Sequence, residues 1–176
     1  MKLLNQLSAA DLRLFHCLDR QRSHAAYQAL ARFISKSADG EGYLLVLIII
    51  GLQYTSASLL FVQIALCAIA IERLCYFILK NSLKRNRPAN SISDFKSLIQ
   101  PSDQFSFPSG HTSAAFLFAT LMASYYPALT GVFYSWAVLV AYSRVLLGVH
   151  FPFDTIMGAA LGSLIGTWAL LMGGWS

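Results

Sequence analysis

Three groups of residues in this chain carry the side chains from which chemistry is built. The first is basic: Lys80, Lys84, Arg85 and Arg87, followed by Pro88. The second is Pro108-Ser109-Gly110-His111, and the third is Ser143-Arg144 followed by His150 and Asp154. A basic cluster leaving an apolar stretch anchors a helix end among headgroups or holds an anion. Amide groups fanned at a helix start favour an anion too, and a glycine there lets a ligand approach the backbone closely. In the third group Pro152 suits the first turn of a helix, which leaves His150 just outside that turn and Asp154 within it. A carboxylate so placed can hold an imidazole in one tautomer and stabilise the cation formed as the other nitrogen reacts. Histidine serves as a covalent nucleophile when another group orients it. Two histidines, His111 and His150, supply separate groups for attack and for protonating a leaving oxygen.

The rival chemistry is a zinc or magnesium site on His111, His150 and Asp154. The surrounding arginines and lysines would repel a cation, so the expectation is no metal and no cofactor.

The elements that must position these groups are apolar helices. Of the 176 residues, 56% are hydrophobic and 12% charged, about half the charged share of soluble domains at roughly 25%. This predicts an all-α, multi-pass transmembrane bundle of about five spans. The net charge is +5, with the basic residues concentrated in 1–37 and 80–96. These blocks flank apolar stretches and form no nucleic-acid-binding module, so the expected partner is the bilayer and its anionic lipid, not nucleic acid.

Residues 1–40 read as an amphipathic interfacial arm and 41–176 as the membrane domain. In the arm, Ser8 and Asp11 have the spacing of a helix-capping pair, with Leu12, Phe15 and Leu18 on one face. A second helix near Ser23 carries Tyr27, Leu30, Phe33 and Ile34 opposite Gln28 and Arg32. The opening run is too short for a signal-peptide core, and the chain is expected to remain uncleaved. Residues 43–79 would make a ~55 Å helix, too long for a ~30 Å hydrocarbon core. The chain must therefore turn near Gln53-Tyr54-Thr55-Ser56, giving spans 43–53 and 59–79. A long polar loop over 81–109 follows, then spans 112–126, 130–147 and 152–171. If the spans alternate, Lys80, His111 and His150 all reach one side of the membrane.

Cys67 and Cys75 lie ~12 Å apart on one predicted helix and cannot bridge; with Cys17 they read as small apolar residues. Gly158, Gly162 and Gly166 form a small-residue stripe. Its expected use is packing within a monomeric bundle, a homodimer face being the alternative. Glu72 and Arg73, charged within a span, should face the bundle interior. Arg73 lies seven residues before Lys80, on the same helix face, and either supports an anion pocket from below or forms a structural ion pair. His16 and His24 have no carboxylate at useful spacing and receive no role.

The combined spacing, Lys80-x6-Arg87-Pro88, then Pro108-Ser109-Gly110-His111, then Ser143-Arg144-x5-His150-x3-Asp154, resembles the tripartite signature of the type 2 phosphatidic acid phosphatase family. That motif pattern is shared with vanadium haloperoxidases. The resemblance runs from about Tyr43 to the C-terminus, with the arm in place of the first span of six-span members. It implies that His150 attacks phosphorus to form a phosphohistidine, that Asp154 orients it and that His111 protonates the leaving lipid oxygen. It further implies that Lys80, Arg87, Ser109, Gly110 and Arg144 bind the phosphoryl oxygens, with no metal. The implied substrate is a lipid phosphate: phosphatidate, phosphatidylglycerophosphate or undecaprenyl diphosphate. A lipid-to-lipid phosphotransferase and a non-catalytic lipid-binding or translocating protein are the alternatives. The expected location is the cell (inner) membrane. The charged loops all fall on the active-site side, which by the positive-inside tendency is cytoplasmic, whereas bacterial relatives commonly face outward.

Overall fold

The computed structural model describes residues 10–17, 24–101 and 103–175. Among these there are helices and no strand. Two helices belong to the arm, α1 (residues 10–17) and α2 (Ala25–Lys36). The bundle proper comprises α3 (Gly40–Gly51), α4 (Ser56–Leu83), α6 (Gly110–Tyr125), α7 (Thr130–Leu146) and α8 (Pro152–Met172), with a short α5 (Pro88–Ser91) in the long loop. Helices thus occupy the five expected segments within a few residues of their predicted limits. Three helical stretches, beginning at Ser56, Pro127 and Pro152, are long and apolar enough to cross a membrane.

The turns form where polar residues satisfy helix ends. Thr55 caps α4: its hydroxyl accepts from Ser58 N at 3.0 Å, and Ser58 Oγ accepts from Thr55 N at 3.1 Å. Two free amides are satisfied reciprocally, which fixes the predicted break between α3 and α4. At its other end α4 stops at Lys84, which adopts the left-handed conformation with φ 46°. Its 28 residues span ~42 Å, so the end carrying Lys80 extends past the hydrocarbon core.

Helix α6 lies at the centre, packed against α8, α7 and α4. The glycine stripe of α8 faces it. A Cβ on Gly158 would stand 2.6 Å from Ser109 O, and one on Gly162 would collide with the Ser113 carbonyl oxygen. Glycine lets the two backbones touch, and in lipid such close packing is a main source of helix association. Large side chains on the outer faces, including Ile48, Phe77, Leu139, Leu164 and Leu171, are exposed. An apolar surface of this extent belongs against lipid tails.

The arm is docked onto the bundle. Phe15 is fully buried, edge-on to Phe95 and Phe151 at centroid distances of 5.2 and 5.4 Å. Asp11 accepts from Arg85 at 2.6 Å and from Phe153 N at 2.9 Å; the expected capping pair with Ser8 is not described, since Ser8, like Leu18 and Ser23, lies outside the described residues. A charged guanidinium and a helix-start amide are both strong donors to a carboxylate. Helix α2 packs on α7 through its small residues Ala31 and Ser35, while Tyr27, Leu30 and Phe33 stay exposed.

Gly162→Val is expected to destabilise the protein by ~3 kcal/mol, since neither backbone can move away from the new side chain. Gly131→Ala, with nothing near the added carbon, should leave the Tm in detergent within a degree or two of wild type. Equal melting of the two variants would contradict the α6–α8 contact.

Candidate active site

The three sequence groups meet at one end of the bundle, around a cavity of about 170 Å³. Its lining includes Arg73, Arg87 and Arg144, the histidines His111 and His150, Gly110, Tyr76, Asp39 and Asp103. Lys80, Ser109 and Asp154 stand behind that lining and are buried.

Lys80 projects from the last turns of α4. Its Nζ donates to Tyr76 Oη at 2.7 Å and lies 2.9 Å from Asp103 Oδ1, while Tyr76 donates to Asp103 Oδ2 at 2.7 Å. Arg87, extended just before Pro88, donates to Asp103 Oδ1 at 2.6 Å, to Asp103 O at 3.0 Å and to Val149 O at 2.5 Å. Asp103 therefore gathers the basic pair. Burial works to raise its carboxyl pKa, but hydrogen bonds from Lys80, Tyr76 and Arg87 outweigh it and hold the value at about 2. Sequence reasoning missed Asp103, an acidic residue in an irregular loop with no periodic neighbour to mark it.

Arg144 enters from the last turn of α7, donates to Ser35 Oγ, and has no hydrogen-bond partner for its Nε among the described residues. Ser109 is the N-cap of α6; its amide donates to Asp154 O at 3.0 Å and its Oγ accepts from Thr112 at 3.0 Å. Gly110 and His111 occupy the first turn of the same helix, whose free amides make this end favourable to anions. His111 Nε2 lies 3.1 Å from Oδ1 of Asp39, the residue that precedes α3. Asp39 was also not singled out from sequence, being 72 residues away from its partner.

His150 is buried in the short segment between α7 and α8. Its Nδ1 lies 2.7 Å from the Ser106 carbonyl oxygen and 3.8 Å from Asp154 Oδ2. A carbonyl only accepts, so Nδ1 carries the proton and Nε2 the lone pair. The ring is thus held first by a backbone oxygen, with Asp154 close enough to act electrostatically. Burial pushes the His150 pKa down to about 4, against the favourable carboxylate of Asp154 and with help from Arg144 and Arg87. The imidazole is neutral at pH 7. Asp154 is itself fixed, accepting from Arg85 at 2.7 Å and from Phe151 N at 2.8 Å. Arg85 links it to Asp11 and stacks 4.5 Å from the Phe151 ring centre.

Arg73 both lines the cavity and lies 3.3 Å from Glu72 Oε2, so the two roles expected of it coexist. His111, His150 and Asp154 do not form a three-ligand group of metal-binding type among the described residues.

This arrangement has known counterparts. A relative in Escherichia coli, named "Putative undecaprenyl-diphosphatase YbjG", is 29% identical over 162 residues, covering 91% of this chain and 80% of its own. The crystal structure of Aquifex aeolicus LpxE superposes with a TM-score of 0.81 at 27% identity, covering 91% of this chain and 94% of that one. The transmembrane PAP2-type phosphatidylglycerolphosphate phosphatase of Bacillus subtilis does so with a TM-score of 0.73 at 26% identity, over 97% and 87% of the two chains. The sequence model of the PAP2 superfamily matches residues 61–176, the stretch that supplies most of the groups around the cavity, and the chain belongs to that superfamily.

Proposed function

We propose that the protein is an integral-membrane lipid phosphatase of the cell's inner membrane, cleaving a phosphomonoester or diphosphate of a membrane lipid through a phosphohistidine. The observation that carries this reading is the hydrogen bond from His150 Nδ1 to the Ser106 carbonyl. It leaves a neutral Nε2 as nucleophile in a cavity lined by arginines.

In this mechanism the phosphoryl group is held by Arg87, Arg144, Lys80 and the amide end of α6 at Ser109 and Gly110. Their charge is complementary to the oxygens as the bond to the leaving group lengthens. Arg144 Nε, unengaged among the described residues, is the donor most available for this. Nε2 of His150 forms the N–P bond as the P–O bond to the lipid breaks, and His111 gives its proton to the departing oxygen. Asp154 stabilises the positive charge on the phosphorylated ring. Water then attacks phosphorus as the N–P bond breaks and its electron pair returns to Nε2, His111 takes the water's proton, and phosphate leaves. Asp39 stabilises the cationic form of His111, the form that acts as an acid. No step draws on a metal. Phosphatidate, phosphatidylglycerophosphate and undecaprenyl diphosphate are the substrates to test; relatives named for the last two compounds support their inclusion.

In mild detergent, the wild-type protein should release phosphate from at least one of these lipids with or without EDTA, and His150→Ala should lower the rate by about a thousandfold or more. Loss of release on adding EDTA would instead indicate a metal enzyme. On p-nitrophenyl phosphate, whose leaving oxygen needs no proton from His111, protonation of Nε2 removes the nucleophile, so kcat/KM should persist as pH falls through 6.5 and decline only around pH 4, following the folded-state value for His150. An acid limb centred near 6.5 would contradict this. Asp39→Asn should slow cleavage of a lipid alkoxide about 10–100-fold while sparing a p-nitrophenyl phosphate, whose leaving oxygen needs no proton. Equal losses on both substrates would remove Asp39 from the acid's support.

A further inference from the structure

Two contacts orient the His150 ring, the Ser106 carbonyl at Nδ1 and the Asp154 carboxylate beside it. Both lead back to one residue. The Arg85 carbonyl accepts from Ser106 N at 2.8 Å and from Ser106 Oγ at 3.3 Å, while the Arg85 guanidinium donates through Nη1 to Asp154 Oδ1 at 2.7 Å. Arg85 lies between the signature residues Lys80 and Arg87 without being one of them. Its Nη2 donates to Asp11 Oδ2 at 2.6 Å. Asp11 belongs to α1, outside the stretch that the superfamily model matches. The other oxygen of Asp11, Oδ1, accepts from Phe153 N at 2.9 Å, in the first turn of α8.

The Arg85 side chain is 28% exposed, whereas that of Asp154 is fully buried. A single ion pair at such an arginine is weak, because water competes for the guanidinium and the long side chain has many rotamers to choose from. Asp11, itself buried, removes that freedom. A guanidinium presents its donors in a rigid planar fork, and with one terminal nitrogen on each carboxylate the plane can no longer turn. The Phe151 ring centre lies 4.5 Å from Arg85, and Phe15 of α1 packs edge-on against the same ring at 5.4 Å. Asp154 is thereby held at both oxygens, by Arg85 and by Phe151 N.

We propose that Asp11 and Arg85 are positioning residues for the nucleophile: the arm, through Asp11, fixes Arg85, and Arg85 fixes both groups that orient His150. The proposal rests on the phosphatase reading above and deepens it by making the arm part of the catalytic apparatus. Neither residue lines the phosphate cavity. Their loss should therefore slow the step at His150 and leave the binding of phosphate alone.

Asp11→Asn is the selective variant, since an amide keeps an oxygen for Phe153 N and loses the carboxylate oxygen that takes Arg85. In full-length protein in mild detergent it should lower kcat about 10–100-fold. The loss should be the same on the lipid phosphate that wild type cleaves fastest and on p-nitrophenyl phosphate, while KM and the inhibition constant of inorganic phosphate stay within about twofold. Arg85→Gln should do at least as much, and the double variant no more than Arg85→Gln alone, because Asp11 acts through Arg85. Undiminished kcat in Asp11→Asn would overturn the proposal, as would losses that multiply in the double variant or an inhibition constant that rises as kcat falls. If Asp11→Asn does not fold, Arg85→Lys carries the test, because an ammonium keeps the charge without the fork that spans two carboxylates. A lower kcat with unchanged phosphate inhibition then supports the proposal, and an unchanged kcat overturns it. Release of phosphate by wild type from no lipid would instead overturn the phosphatase reading, and this proposal with it.

Discussion

At the loop-bearing end of the bundle, cationic side chains stand closer together than their mutual repulsion permits unless carboxylates stand between them. Lys80 and Arg87 share Asp103, Arg85 is clasped by Asp154 and Asp11, and Arg73 has Glu72. Partly buried pairs of this kind are poor sources of net stability, because desolvating the charges offsets much of their attraction. Their value here is positional: each guanidinium or ammonium is held in one place before any anion arrives, and preorganised charge is what catalysis on a phosphate requires. Arg144 is supported by the Ser35 hydroxyl instead.

The same end depends on the contact between α6 and α8. With Gly158 against the Ser109 backbone and the Ser109 amide on the Asp154 carbonyl, the start of one helix is fixed against the start of the other. The amide fan of α6 and the His150 segment ahead of α8 therefore move as one piece. A stripe of small residues in the membrane interior sets distances at the surface.

Much of this was legible in the sequence because it is written in periodicity and in rigid spacing. Hydrophobic runs and the Gln53–Ser56 break located the spans, and alternation brought Lys80, His111 and His150 to one end. What was not legible depends on partners far apart in the chain. Asp103 and Asp39 lie in loops or at a helix start, with nothing nearby to mark them. The acceptor for His150 is the backbone of Ser106, and a main-chain carbonyl has no residue signature. The docking of the arm was not legible for the same reason: Asp11 and Phe15 read as parts of an amphipathic helix, and their partners lie 74 to 142 positions away. In α2 the large apolar side chains drew attention, whereas its small ones make the close approach to α7.

Helix α3 has 12 residues and packs beside α4, which has 28. The shorter helix spans ~18 Å, well under the ~30 Å of hydrocarbon around it. A bilayer meeting such mismatch thins locally. Helix α3 begins at Gly40, in the wall of the phosphate cavity, so this short helix borders the site. A bilayer thinned on that flank would bring its headgroups down towards the site, leaving a phosphate within the leaflet less far to rise out of the plane of its neighbours.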